Sequence, residues 1–189
     1  METKTAYFEN LENNNTDETF RLAKQRAVEL GIKDIVVAST RGDTGVKAAE
    51  CFKGFNLVVV RIATGLWEAN QQMFPEEKKK QIENLGGKVI TSAPAFSGVG
   101  SAPSEHFHTH QVGEIIANTL RIFGQGMKVT CEIVLQAADA GLVRSGVPVI
   151  SIAGTGRVRG ADTAIVVSPV NSNRFFELKV HEVICKPRL

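Results

Sequence analysis

Asp34-Ile35-Val36-Val37-Ala38-Ser39-Thr40-Arg41-Gly42-Asp43-Thr44-Gly45 joins an unbroken apolar run to a turn rich in glycine and hydroxyl side chains. An apolar run without polar alternation fits a strand buried on both faces, as in a parallel sheet. The turn leads into a helix over Thr44 to Phe52, so it lies where open α/β sheets take their ligands, beyond the carboxyl end of a strand. A helix start brings unpaired N–H groups and the positive end of the dipole. Gly42 and Gly45 let backbone approach an anion, Ser39, Thr40 and Thr44 offer hydroxyls, and Arg41 adds charge. Together these parts suit a phosphate. The turn is not a Walker loop, because no Gly-Lys-Ser/Thr closes it. Asp43 counts against an anion unless its carboxylate turns away. The bland alternative is a plain strand-to-helix turn capped by Asp43 or Thr44.

Outward from this turn the pattern alternates. Before it, Phe20, Ala23, Ala27 and Leu30 share one face of a helix predicted over Asp17 to Leu30, capped by Asn15 or Thr16 and closed by Gly31. After it come a strand over Asn56 to Ile62, a helix over Glu76 to Leu85 begun by Pro75, and a strand over Lys88 to Thr91. Alternating strands and helices predict a parallel sheet with helices on both faces. Residues 92 to 109, dense in Gly and Pro, read as a long irregular loop. Helices follow over Gln111 to Phe123 and Lys128 to Ala140, broken at Gly124-Gln125-Gly126. Strands follow over Val147 to Ala153 and Ala164 to Ser168. The alternation in Phe175 to Cys185 predicts an edge strand with one wet face.

Composition narrows the class. The 189 residues fit one domain over residues 1 to 189, able to bury a core without disulfide or metal. A net charge of +2 gives no footprint for nucleic acid. Lys78-Lys79-Lys80 follows Glu76-Glu77 and reads as a solvated helix face. Cys51, Cys131 and Cys185 lie far apart and without ligand spacing, so a reduced compartment is expected. No apolar stretch is long enough for a membrane span, and the start of the sequence lacks the apolar core of a signal peptide. The protein is therefore expected to be soluble and cytoplasmic.

Three further segments stand out. Gly154-Thr155-Gly156-Arg157-Val158-Arg159-Gly160 follows a strand, but its glycine spacing departs from the dinucleotide fingerprint and no helix fits before the next strand, which disfavours a Rossmann site. If its strand neighbours the first, this loop meets the first turn, and Arg157 and Arg159 reach the same anion; otherwise it is a surface turn. The helix Val129 to Ala140 is apolar nearly all round, with Glu132, Gln136 and Asp139 on one stripe. That stripe is either a solvent edge or the lining of a polar cavity. Glu105-His106-Phe107-His108-Thr109-His110 would bring its histidines together if extended, as a metal site needs, but no second ligand cluster is evident and a solvated loop is favoured.

Val36 to Thr44, Lys128 to Ile133 with Ala137 to Gly141, Arg159 to Ala164, and the ending Ile184-Cys185-Lys186-Pro187-Arg188 together resemble the C-terminal α/β domain of pyruvate kinase. The fuller match is to stand-alone archaeal and bacterial proteins of that domain family. The resemblance implies a three-layer α/β/α fold around a mostly parallel mixed sheet of about five or six strands, with the order 3-2-1-4-5 for those identified above and an antiparallel edge. It also implies flavin mononucleotide (FMN) as cofactor, with Ser39, Thr40, Arg41, Gly42 and Thr44 on one side of the phosphate and Gly154, Thr155, Gly156, Gly160 and Thr163 on the other. Trp67, Phe96 and Phe107 are candidates for the wall against the flavin ring. Pyruvate kinase activity is not implied, because that chemistry belongs to a separate barrel domain for which this chain has no room. The rival expectation is a regulatory module that binds a sugar phosphate and signals through a homo-oligomer.

Overall fold

The computed structural model describes residues 2–10, 12–156 and 160–188. Its centre is a sheet of seven strands in the order β1-β7-β6-β5-β2-β3-β4. These are β1 (Ala6–Phe8), β2 (Asp34–Ala38), β3 (Asn56–Arg61), β4 (Lys88–Thr91), β5 (Val149–Ala153), β6 (Thr163–Ser168) and β7 (Lys179–Pro187). Among the described residues six α-helices accompany them: α1 (Thr16–Leu30), α2 (Asp43–Cys51), α3 (Glu76–Asn84), α4 (Ser101–Phe107), α5 (Val112–Arg121) and α6 (Gln125–Asp139).

The apolar run at Asp34–Ala38 behaves as its composition dictates. Ile35 and Val37 point into one core with Phe20, Ala23, Ala27, Phe52 and Ile82 of the α1, α2 and α3 side. Val36 points into the other, with Ala117, Met127, Cys131 and Val134 of the α5 and α6 side. Strand alternation thus feeds two apolar cores, and the result is three layers.

The expected order of the five identified strands holds: β2 lies between β3 and β5, and pairs with both in parallel. Two features differ. The sheet has seven strands, because β1 and β7 extend it past β6. The one reversed strand, β6, is interior: it pairs antiparallel with β5 and with β7, and all six of its residues are buried. The expected antiparallel edge is therefore covered. The tail also differs. Ser172–Glu177 forms a 3₁₀ turn, and β7 starts only at Lys179. Cys185, Lys186 and Pro187 pair with Ala6, Tyr7 and Phe8 of β1, so only the first part of β7 is an open edge.

Residues 92–109 are not irregular throughout, since a 3₁₀ turn at Gly98–Gly100 runs into α4. At the start of α1, Asn15 holds the N-cap position as expected but its side chain makes no capping bond; instead Asn14 Oδ1 accepts the Thr16 N–H at 3.1 Å and the Thr16 hydroxyl at 2.6 Å. Thr16 Oγ1 in turn accepts the Ala161 N–H at 2.9 Å, which ties α1 to the segment before β6. Gly31 closes the helix in the left-handed conformation, as expected. Among the described residues no helix is long and apolar enough to cross a membrane.

Candidate functional site

The strand order reverses direction at β2: the next strand in sequence, β3, lies on one side of it and β5 on the other. In open α/β sheets the crevice at such a switch point, at the carboxyl ends of the strands, is the usual ligand site. A cleft of about 400 Å³ lies there. Ala38, Ser39, Thr40, Arg41, Asp43 and Thr44 line one side, and Gly154, Thr155, Gly156 and Gly160 the other. Gln125 and Val129 of α6 and Trp67 from the loop after β3 complete it. The two Gly-rich segments therefore meet because β2 and β5 are parallel neighbours.

Each segment has a local reason for its shape. Gly42 sits at φ 91°, in the left-handed region that glycine tolerates best, and lets the chain turn from β2 into α2. Ser39 is buried and its hydroxyl oxygen accepts the Gly45 N–H at 3.1 Å, so Ser39 shapes the start of α2. A Cβ on Gly45 would fall 2.9 Å from both Ile82 Cδ1 and Val59 Cγ1, so this glycine serves close packing of the helix on the sheet. Lys78 Nζ lies 2.5 Å from Asp43 Oδ1 and donates to the Arg41 carbonyl at 3.2 Å. The carboxylate that argued against an anion is thereby paired with a cation.

Across the cleft, Asp162 folds the other segment. Its Oδ2 accepts the Thr155 N–H at 2.9 Å and its Oδ1 accepts the Thr163 hydroxyl at 2.7 Å. Thr163 is buried at the head of β6 and supports Asp162 without lining the cleft. Gly42 likewise acts through its backbone conformation and does not line it. The other eight expected residues, Ser39, Thr40, Arg41, Thr44, Gly154, Thr155, Gly156 and Gly160, all do. Arg157 and Arg159, read from the sequence as reaching the same anion, lie outside the described residues.

Gln125 and Val129 escaped the sequence reading. Gly124-Gln125-Gly126 looks like a helix break, but α6 already starts at Gln125. Gly126 belongs inside the helix because a Cβ there would collide with the Thr163 hydroxyl. The first turn of the fifteen-residue α6 thus joins that of α2 at the cleft, and two helix N-termini bring their partial positive charge to one place. Trp67, 62% exposed, stands at the cleft. Phe96 is buried on the α6 side, and Phe107 is exposed on α4, so neither lines this cleft.

The polar stripe of α6 does not line this cleft, and only Asp139, at the end of the helix, meets solvent. Glu132 and Gln136 are buried. Glu132 accepts the Phe96 N–H at 3.2 Å and pairs with Lys128, while Gln136 donates to Ser92 Oγ at 2.8 Å and to the Ala93 carbonyl at 2.9 Å. Asp139 accepts the Ser172 N–H at 3.0 Å; burial works against its charge, but the hydrogen bonds from Ser172 and Asn171 prevail and hold its carboxyl below the usual range. The stripe clasps the segment after β4 and the 3₁₀ turn before β7. The histidine segment is helical through Phe107, so its alternation is not extended, and among the described residues no cluster of three or more His, Cys, Asp or Glu could hold a metal.

Fold and cleft define an open α/β protein with a crevice at its switch point. The chain belongs to the family described as the pyruvate kinase alpha/beta domain, whose model matches residues 17–167. Among solved structures it is similar to Cryptosporidium parvum pyruvate kinase in complex with ADP, at 12% identity and a TM-score of 0.40 over 89% of this chain. The chain spans 23% of the length of that enzyme.

Proposed function

We propose that the cleft between the Ser39–Gly45 turn and the Gly154–Gly160 segment binds the phosphate of a small phosphorylated ligand, and that this ligand is FMN. The observation that carries this reading is the convergence of two helix N-termini and two glycine-bearing segments on one cleft at the switch point. Backbone N–H groups, the Thr40 and Thr44 hydroxyls and Arg41 supply donors to a phosphate. Trp67, at the same cleft, supplies the apolar wall that a flavin ring needs. The cleft volume of about 400 Å³ lies in the lower part of the range for small-molecule sites.

Trp67 is the only tryptophan, so its fluorescence reports on the cleft alone. Titration of the purified chain with FMN should quench it. Ligand at a hundred times its dissociation constant should stabilise the fold by about 2.7 kcal/mol, seen as a raised Tm. Thr44→Val should weaken both effects. A colourless protein whose Tm and fluorescence ignore FMN refutes the flavin reading. If sugar phosphates alone raise the Tm, the chain is the regulatory module that the rival reading describes, with the same phosphate grip.

A further inference from the structure

The residues from Val99 to Phe123 carry a concentration of exposed apolar side chains that the cleft does not use. Val112 is 71% exposed, Ile115 58% and Ile122 69%, with Phe107 and Phe123 also exposed beside them. All five lie on or just beyond α5 and α4, on the outer layer of the α5 and α6 side. At 100° per residue, α5 turns Gly113, Ile116, Ala117 and Leu120 inward, and Ala117 is buried. Ile115, Asn118 and Ile122 then face outward, with the half-buried N-cap residue Gln111 in line with them beside Gly100, at spacings of four, three and four, which is the seam pattern of a helix that packs on another helix. Val112 and Thr119 lie on one flank of this seam, and Glu114 and Arg121 on the other.

We propose that α5 is the contact helix of a homodimer, packed antiparallel on α5 of a second copy about a two-fold axis near residue 117. The charges favour a second copy over an unrelated partner. Glu114 and Arg121 lie on the same flank two turns apart. In an antiparallel two-fold pair, like flanks meet, so Glu114 of each copy faces Arg121 of the other. Within the chain, Arg121 donates to Asn118 Oδ1 at 2.8 Å and to Gln125 Oε1 at 2.7 Å, both neutral groups. Glu114 accepts from the Ser104 hydroxyl at 3.3 Å, lies 3.7 Å from the exposed His110 ring and, with Arg121, lines a crevice between α5 and α4. Each charge can therefore serve a partner across the axis. The seam is self-complementary as well: the same symmetry sets Ile115 against Asn118 and Ile122 against Gln111, with Val112 against Thr119 on the flank.

Size sets the strength. Ten residues of helix are about 15 Å long. Alone they fall short of the roughly 800 Å² per partner of a standard interface, so Phe107 and Phe123 at the two ends must join the contact. The dimer is accordingly in the weak, concentration-dependent class.

Sedimentation velocity of the full chain over a range of concentrations tests this. A reversible monomer–dimer equilibrium is expected. Ile115→Glu should weaken it by at least a hundredfold, with unchanged circular dichroism and Tm because the side chain is exposed. Arg121→Glu and Glu114→Arg should each weaken self-association by about tenfold, since each sets like charges opposite. Mixed together, those two variants should form a heterodimer as strong as the parent, because every cross-axis pair is again of opposite sign. A chain that stays monomeric at all concentrations overturns the proposal, as does a dimer indifferent to Ile115→Glu. Two charge variants that fail to rescue one another overturn the antiparallel geometry on which it rests.

Discussion

Gly154→Ala should damage the cleft while leaving most of the core intact. A Cβ at Gly154 would point straight at the Gly160 carbonyl oxygen, far inside contact distance, and would lie 3.2 Å from the Gly160 carbonyl carbon and 3.5 Å from Ala161 Cα. All three neighbours are backbone, so no side chain can swing aside. Nor can the backbone slide freely: the Ala161 N–H is bonded to Thr16 Oγ1, and the Thr19 hydroxyl donates to the Ala161 carbonyl at 3.3 Å. Relief would have to pull this segment off the first turn of α1. Overpacking of that kind costs about 1–3 kcal/mol, which for a chain of this size lowers Tm by roughly 2–12 °C. The internal control is Gly156→Ala, where nothing among the described residues lies within 4 Å of the added Cβ and the cost expected is that of the backbone, at φ 78°. Differential scanning calorimetry measures the stabilities, and fluorescence titration of Trp67 with FMN measures the cleft. Gly154→Ala should lose ligand binding and more stability than Gly156→Ala. A Tm for Gly154→Ala within a degree of the parent, or a larger loss in Gly156→Ala, would refute the account of how the two segments are held together.

Lys128 and Glu132 form an ion pair with exposures of only 8% and 6%. Lys128→Met strands the carboxylate and should cost about 3–5 kcal/mol in urea unfolding, whereas the double variant Lys128→Met/Glu132→Leu should recover much of it. Equal losses in the single and double variants would contradict that coupling. Burial pushes the Cys131 thiol up to about 11 and the Cys185 thiol up to about 12, the latter against weaker opposing hydrogen bonds. Both stay protonated in the folded chain at a pH where the unfolded chain has lost those protons. Stability should therefore fall from about pH 9 upward by about 1.4 kcal/mol per pH unit for each thiol, and Cys131→Ala with Cys185→Ala should flatten that slope in thermal melts. Arg26 forks onto Glu182 of β7 with two bonds of 2.7 Å and lowers the Glu182 pKa. The stabilisation is present above the ordinary carboxylate range and is lost as pH falls through the folded value, so Arg26→Met should reduce the acid sensitivity of Tm.

What the sequence conveyed depended on how local the cause was. The run Ile35-Val36-Val37 and the turn after it carry their meaning in neighbouring residues, and both are found where read. The meeting of Gly154 with Thr40 needed strand order, which came from a resemblance and from no pattern in the residues. Gln125 was missed because Gly126 reads as a helix breaker; its real cause is the Thr163 hydroxyl, 37 positions away. The three residues of β1 show too short a pattern to register. For Glu132 and Gln136, charge and polarity alone argued for solvent, and only the partners at Phe96, Lys128, Ser92 and Ala93 explain their burial.

The pairing of β1 with β7 bears on the order of events during synthesis. Ala6–Phe8 leaves the ribosome before the other six strands of this sheet, yet its hydrogen-bonded partner is Cys185–Pro187. The neighbours β2, β3 and β4 can pair as soon as Thr91 has emerged. The β1 strand must wait for its partner, with the loop-closure entropy of about 180 residues set against three residues of pairing. That contact should be the last to form and the first to open, and amide hydrogen exchange at Ala6–Phe8 should run faster than at β2.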